Sequence, residues 1–96
     1  MTQLTIVADM YARPERLEEV KAALIALVAP TRIEEGCVNY NLHQDNNDPL
    51  HFLFYENWTS SELWQAHRDS SHLNAFRKAM DGAFSAFNVS QMTQIV

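Results

Sequence analysis

Glycine is nearly missing from this chain: the 96 residues contain two, Gly36 and Gly82. That leaves no glycine-rich phosphate loop and no dinucleotide-binding fingerprint, so any chemistry proceeds without a nucleotide held in that way. Cysteine is scarcer still. The single Cys37 cannot form an intrachain disulfide, which fits a reducing, cytoplasmic compartment. Basic residues are few, seven against twelve acidic ones for a net charge of −5, and they form no dense patch. That balance argues against a nucleic-acid or anionic-membrane partner. The longest apolar run, Ala22 to Ala29, is too short to cross a bilayer. No charged segment followed by an apolar one opens the chain, so no signal peptide is expected. The length is that of one domain, taken here as residues 1–96.

What the chain does have is aromatic and apolar residues in regular phase. Leu4 to Tyr11 alternates as a strand, with Leu4, Ile6, Ala8 and Met10 on one face. Pro14 and Glu15 suit the start of a helix, and Leu17, Val20, Leu24, Leu27 and Val28 keep helical spacing, predicting a helix over 14–28 that decays at Pro30. Glu34-Glu35-Gly36 reads as a turn. Cys37 to Gln44 reads as a second strand, with Val38, Tyr40 and Leu42 facing one way and Asn39, Asn41 and His43 the other. Asp45 to Pro49 is a hairpin loop by composition. Phe52 to Trp58 is a third strand of four aromatics, with Phe52, Phe54, Glu56 and Trp58 sharing a face. Thr59-Ser60-Ser61-Glu62 has the form of a capping box with Thr59 as cap, opening a short helix to Arg68. Ser70 or Ser71 caps a longer helix with an apolar stripe of Leu73, Phe76, Met80, Ala83, Phe84 and Phe87. Val89 to Val96 is read as a closing strand. This order predicts an α+β, ferredoxin-like βαββαβ domain, an antiparallel sheet with helices on one face. The other face is expected to expose alternating apolar residues, and a homodimer packing sheet on sheet would cover it.

Within this frame the chemistry-bearing residues concentrate between Glu56 and His72. A carboxylate on an aromatic strand face has to be paired, protonated or at work. His67 and His72 would point about 140° apart on one continuous helix, but Asp69-Ser70-Ser71 breaks the helix between them and lets the rings converge. His72, in the first turn of its helix, is disfavoured in the charged form by the macrodipole and can accept a proton. The candidate catalytic set is therefore His72, His67 and Glu56, with Glu56 paired to an imidazole. Trp58, Phe54 and Tyr55 form an aromatic wall, and Asn41 and Asn39 are candidate cavity-lining residues. The bland reading of the histidines is hydrogen-bonded packing at the helix junction, and of Glu56 a bond pinning strand to helix. Trp58 reads equally as core, and His43 as a solvated strand end. Cys37 has no base near it in sequence. His-x4-His matches no standard zinc spacing and no cysteine pair supports one; His67, His72 and Glu56 would make a facial set for iron, but no metal is expected, and with two glycines no other cofactor.

Three segments together, Glu35-Gly36-Cys37-x-x-Tyr40-x-Leu42-His43, Phe54-Tyr55-Glu56-x-Trp58 and His67-x4-His72-x3-Phe76, resemble the antibiotic biosynthesis monooxygenase family, of the quinol monooxygenase type. The resemblance covers nearly the whole chain. It implies a dimeric α/β barrel, cavities between sheet and helices, and oxidation of a quinol or polyphenol by O2 without metal or flavin. The partner it implies is an aromatic small molecule. Haem-degrading relatives of this fold use an Asn, Trp and His set. Here His67 falls near their Trp, Arg77 near their haem-ligating His, and the first strand has no Asn, so the resemblance does not extend to haem. Two rival readings stand beside oxygenation. One is an isomerase or tautomerase of a small dicarbonyl compound, its phosphate held by Arg68, Arg77 or Lys78 where it has one. The other is a non-catalytic binding protein.

Overall fold

The computed structural model describes residues 3–96. Four strands, β1 (Leu4–Ala12), β2 (Cys37–Gln44), β3 (His51–Trp58) and β4 (Phe84–Met92), form one antiparallel sheet in the order β2-β3-β1-β4. A 3-10 turn at Pro14–Arg16 leads into α1 (Leu17–Arg32), and β3 is followed by α2 (Ser61–Arg68) and α3 (Ser71–Ala79). This is the α+β, ferredoxin-like arrangement. Strand alternation puts Ile6, Ala8, Met10, Phe52, Phe54, Glu56 and Trp58 under the helices, where all are buried. Val20, Leu24 and Leu27 of α1, Trp64 of α2 and Phe76 of α3 close the core over them.

Four local expectations needed correction. Helix α1 continues through Pro30 to Arg32. The proline removes one amide donor, but the last turn is held from outside: Thr31 is fully buried, and Arg32 donates from Nε to the Tyr40 carbonyl and from Nη2 to Asn41 Oδ1, both at 3.2 Å. The cap of α2 is Ser60, not Thr59; its hydroxyl accepts from the Leu63 amide. Helix α3 ends at Ala79 and does not run on to Phe87. Gly82, at φ +75°, takes the left-handed conformation just past the helix end, and the chain leaves as β4 five residues before Val89. The stripe at Phe84 and Phe87 therefore belongs partly to a strand.

The sheet's far face also differs from expectation. It carries Val7, Tyr11, Leu53 and Tyr55, but among Thr5, Asp9, Asn39, Asn41, Asn57 and Asn88, so it is mixed rather than apolar. A bulge at Val38 puts Cys37, opposite Trp58, on the helix side. The exposed Phe87 and Val89 lie on the helix side of β4, opposite Met10 and Ala8, so this edge of the sheet remains open.

Candidate functional site

The turn from α1 into β2 supplies the central acid. The Glu34 amide bonds the Thr31 carbonyl at 3.0 Å, and the Cys37 amide bonds the Glu34 carbonyl at 3.2 Å, fixing the backbone on both sides. Gly36 follows at φ +86°, and a Cβ there would lie 2.6 Å from Leu63 Cδ1, so only glycine lets the turn sit against α2. Glu34 Oε2 accepts from both imidazoles of the helix junction, from His67 Nδ1 at 2.7 Å and His72 Nε2 at 2.9 Å. Thr31 Oγ1 is 3.2 Å from the same His72 nitrogen. The break capped by Ser70, whose hydroxyl accepts from the Leu73 amide, is what brings the two rings within 6.1 Å.

His67 is the buried member, packed against Trp58 (ring centroids 4.8 Å apart) and edge-on to Tyr40 (5.4 Å). Burial lowers its pKa, and the Glu34 contact only partly offsets this, so the ring is neutral at pH 7. With its proton on Nδ1 for Glu34, its Nε2 carries the lone pair. Nε2 has no hydrogen-bond partner among the described residues. No buried side-chain nitrogen or oxygen among them lacks one, so Nε2 meets open space. That space is a cavity of about 480 Å³ between sheet and helices, lined by His67, Glu56, Tyr40, Phe54 and apolar residues including Met10, Leu24, Leu27, Phe76, Met80, Phe84, Phe87 and Val89.

Glu56 is not paired with a histidine. Its Oε1 accepts from Trp58 Nε1 at 2.9 Å, and by the same reasoning its Oε2 opens on the cavity. Burial pushes its pKa up to about 7; the Trp58 bond opposes the shift and the Glu34 charge adds to it. Phe54 lines the cavity and stacks on Tyr40 at 4.3 Å, whereas Trp58 stands behind His67. Tyr55, Asn39 and Asn41 lie on the far face. Asn39 bonds the Tyr55 carbonyl and the Asn57 amide there, and Asn41 accepts from Arg32. Arg68 and Arg77 stand at the cavity, and Lys78 does not line it. Sequence reasoning missed Glu34, although the turn that carries it was legible. The acid lies 33 and 38 residues from its two partners, and Glu56 is the nearer acid in the chain.

A four-stranded antiparallel sheet covered on one face by helices, with an acid-held imidazole beside a largely apolar cavity, defines a class: the ferredoxin-like α+β domains. The family model described as antibiotic biosynthesis monooxygenase matches residues 3–79. The chain belongs to that family. It superimposes on the crystal structure of PA3566 from Pseudomonas aeruginosa with a TM-score of 0.95 at 31% identity, covering 100% of this chain and 97% of that one. It is 30% identical over 74 residues to a Mycobacterium tuberculosis protein named "Putative monooxygenase Rv0793", covering 77% of this chain and 72% of that protein. It is 25% identical over 73 residues to the uncharacterised Synechocystis protein sll1783, covering 76% of this chain and only 50% of that protein's length. No helix among the described residues is long and apolar enough to cross a membrane.

Proposed function

We propose that the protein is a cofactor-independent monooxygenase acting on a quinol or polyphenol, working as a cytoplasmic homodimer. The observation that carries this is the Glu34–His67 pair, with Nδ1 tied to the carboxylate and Nε2 turned to an apolar cavity. Held in this tautomer, His67 is the general base and Glu34 its positioning acid. A quinol O–H loses its proton to Nε2. The electron-rich anion then donates an electron to O2, and the resulting radicals combine at a ring carbon. One oxygen atom stays on the ring, whose C–H becomes C–OH. The other leaves as water, with the proton held by His67 and the proton of the second ring hydroxyl, and the ring departs as the hydroxyquinone. The substrate supplies all four electrons, so the balance needs no other reductant.

Glu56, whose burial favours the protonated form, donates from Oε2 to a second oxygen of the ring in this reading. The apolar part of the lining reduces the water that would otherwise solvate the anion. The test is an oxygen-electrode screen of the purified protein against a panel of quinols and phenols. Uptake that depends on enzyme and substrate supports the reading, and no uptake across the panel overturns it.

One observation favours a second reading. Arg68 and Arg77 at the cavity could hold the phosphate of a phosphorylated dicarbonyl while His67 moves a proton beside the carbonyl. Anaerobic isomerisation of such a compound, without oxygen uptake on quinols, would select it.

A further inference from the structure

Among the described residues, one group of histidine, cysteine and carboxylate side chains has ligand atoms that converge: Glu34, His67 and His72, all within 4.8 Å of one another. Two imidazole nitrogens and one carboxylate oxygen are the donor set of a borderline transition ion. With metal–ligand bonds of about 2.1 Å, neighbouring ligand atoms stand about 3.0 Å apart around a six-coordinate ion and about 3.4 Å around a tetrahedral one. The two nitrogen–oxygen separations here are 2.7 and 2.9 Å, slightly under these values, and no two of the three atoms are more than 4.8 Å apart, so side-chain adjustments within the cluster bring all three onto one ion. It is reachable, because the side chains of His72 and Glu34 are 23% and 18% exposed. Thr31 Oγ1, 3.2 Å from His72 Nε2, gives up that hydrogen bond when the nitrogen becomes a ligand. The other acid–imidazole cluster, His51 with Asp9 and Asp45, cannot do this. Its carboxylates lie against opposite ring nitrogens and do not converge on one point.

We propose that Glu34, His67 and His72 bind one divalent transition-metal ion of the Zn2+ class, and that occupancy takes the base out of action. A neutral imidazole has one proton. Ligation through Nδ1 of His67 needs the lone pair on that atom, so the proton moves to Nε2. The cavity then faces an N–H donor where it had an acceptor. His72 undergoes the mirror change, binding through Nε2 with its proton on Nδ1. The inhibitory half rests on His67 being the base; the binding half does not.

Equilibrium dialysis of the whole protein with Zn2+ tests the first half, and nitrogen-15 NMR of the histidines tests the second. The expected result is one Zn2+ per chain, with affinity falling about tenfold or more in both Glu34→Gln and His72→Gln and unchanged in His51→Gln. His67 Nε2 should pass from an acceptor-type to an N–H-type resonance as metal is added, and any quinol oxidation should stop in step. Absence of Zn2+ binding, or binding that follows His51→Gln in place of the other two, overturns the site. Binding with Nε2 still unprotonated overturns the switch. Binding with the Nε2 change, in a protein that oxidises no quinol when metal-free, upholds the site and overturns the proposed reaction instead.

Discussion

At the scale of single residues, the two carboxylates of the site divide the work by environment. Glu34 is a hydrogen-bond acceptor shared by two rings, while Glu56 is buried with one donor and a pKa near 7. The folded-state pKa of Glu56 lies above its ordinary value of 4.5, so the folded protein binds the proton more tightly than the unfolded chain. The contribution to stability is therefore whole below about pH 4.5 and is lost as pH rises towards 7, by about 2–3 kcal/mol. Glu56→Gln keeps an oxygen for Trp58 Nε1 and removes the titration. Urea unfolding of this variant should show a flatter profile between pH 5 and 8, and higher stability than the parent at pH 8. Equal slopes in the two proteins would mean that Glu56 is solvated.

Glu56 also shows why the site was half legible. A carboxylate among Phe54 and Trp58 announces itself in sequence, and so do two histidines around a capped break. The pairing does not, because which acid reaches the imidazoles depends on where α1 ends. Pro30 suggested an early end, and only the tertiary bonds of Thr31 and Arg32 carry the helix on to present Glu34.

At the scale of elements, the junctions do the positioning. Gly36 serves twice, by its φ of +86° and by its closeness to Leu63 and Thr59. Gly36→Ala should cost about 2–4 kcal/mol, the left-handed strain plus a displaced α2, measurable as a lower urea midpoint at unchanged slope. A cost under 0.5 kcal/mol, the range of ordinary surface changes, would mean that the turn relaxes freely. Ser60→Ala, which removes the hydroxyl bonded to the Leu63 amide, should cost about 1 kcal/mol by the same measurement. Strand phase in β1, in β3 and in β2 from Asn39 on was readable because apolar residues alternate cleanly there; the bulge at Val38 was not. The last third was not. Ala83, Phe84 and Phe87 fit a helical stripe as well as a strand, and the signal that separates the two is Gly82.

At the scale of the whole molecule, a small sheet leaves apolar surface on both sides. Phe87 and Val89 are about half exposed on the open helix side of β4, and Tyr55 and Val38 are similarly exposed elsewhere. Sedimentation equilibrium at micromolar concentration should give twice the chain mass, with an interface at or above about 1,200 Å²; a single-chain mass would refute the proposed dimer.

The reading of the site turns on His67. With the best quinol from the oxygen-electrode screen, His67→Ala should lower turnover by about 10²–10⁴, with the circular dichroism spectrum and oligomeric mass of the parent. Full turnover in a folded His67→Ala protein would show that the imidazole on the cavity wall is not the base.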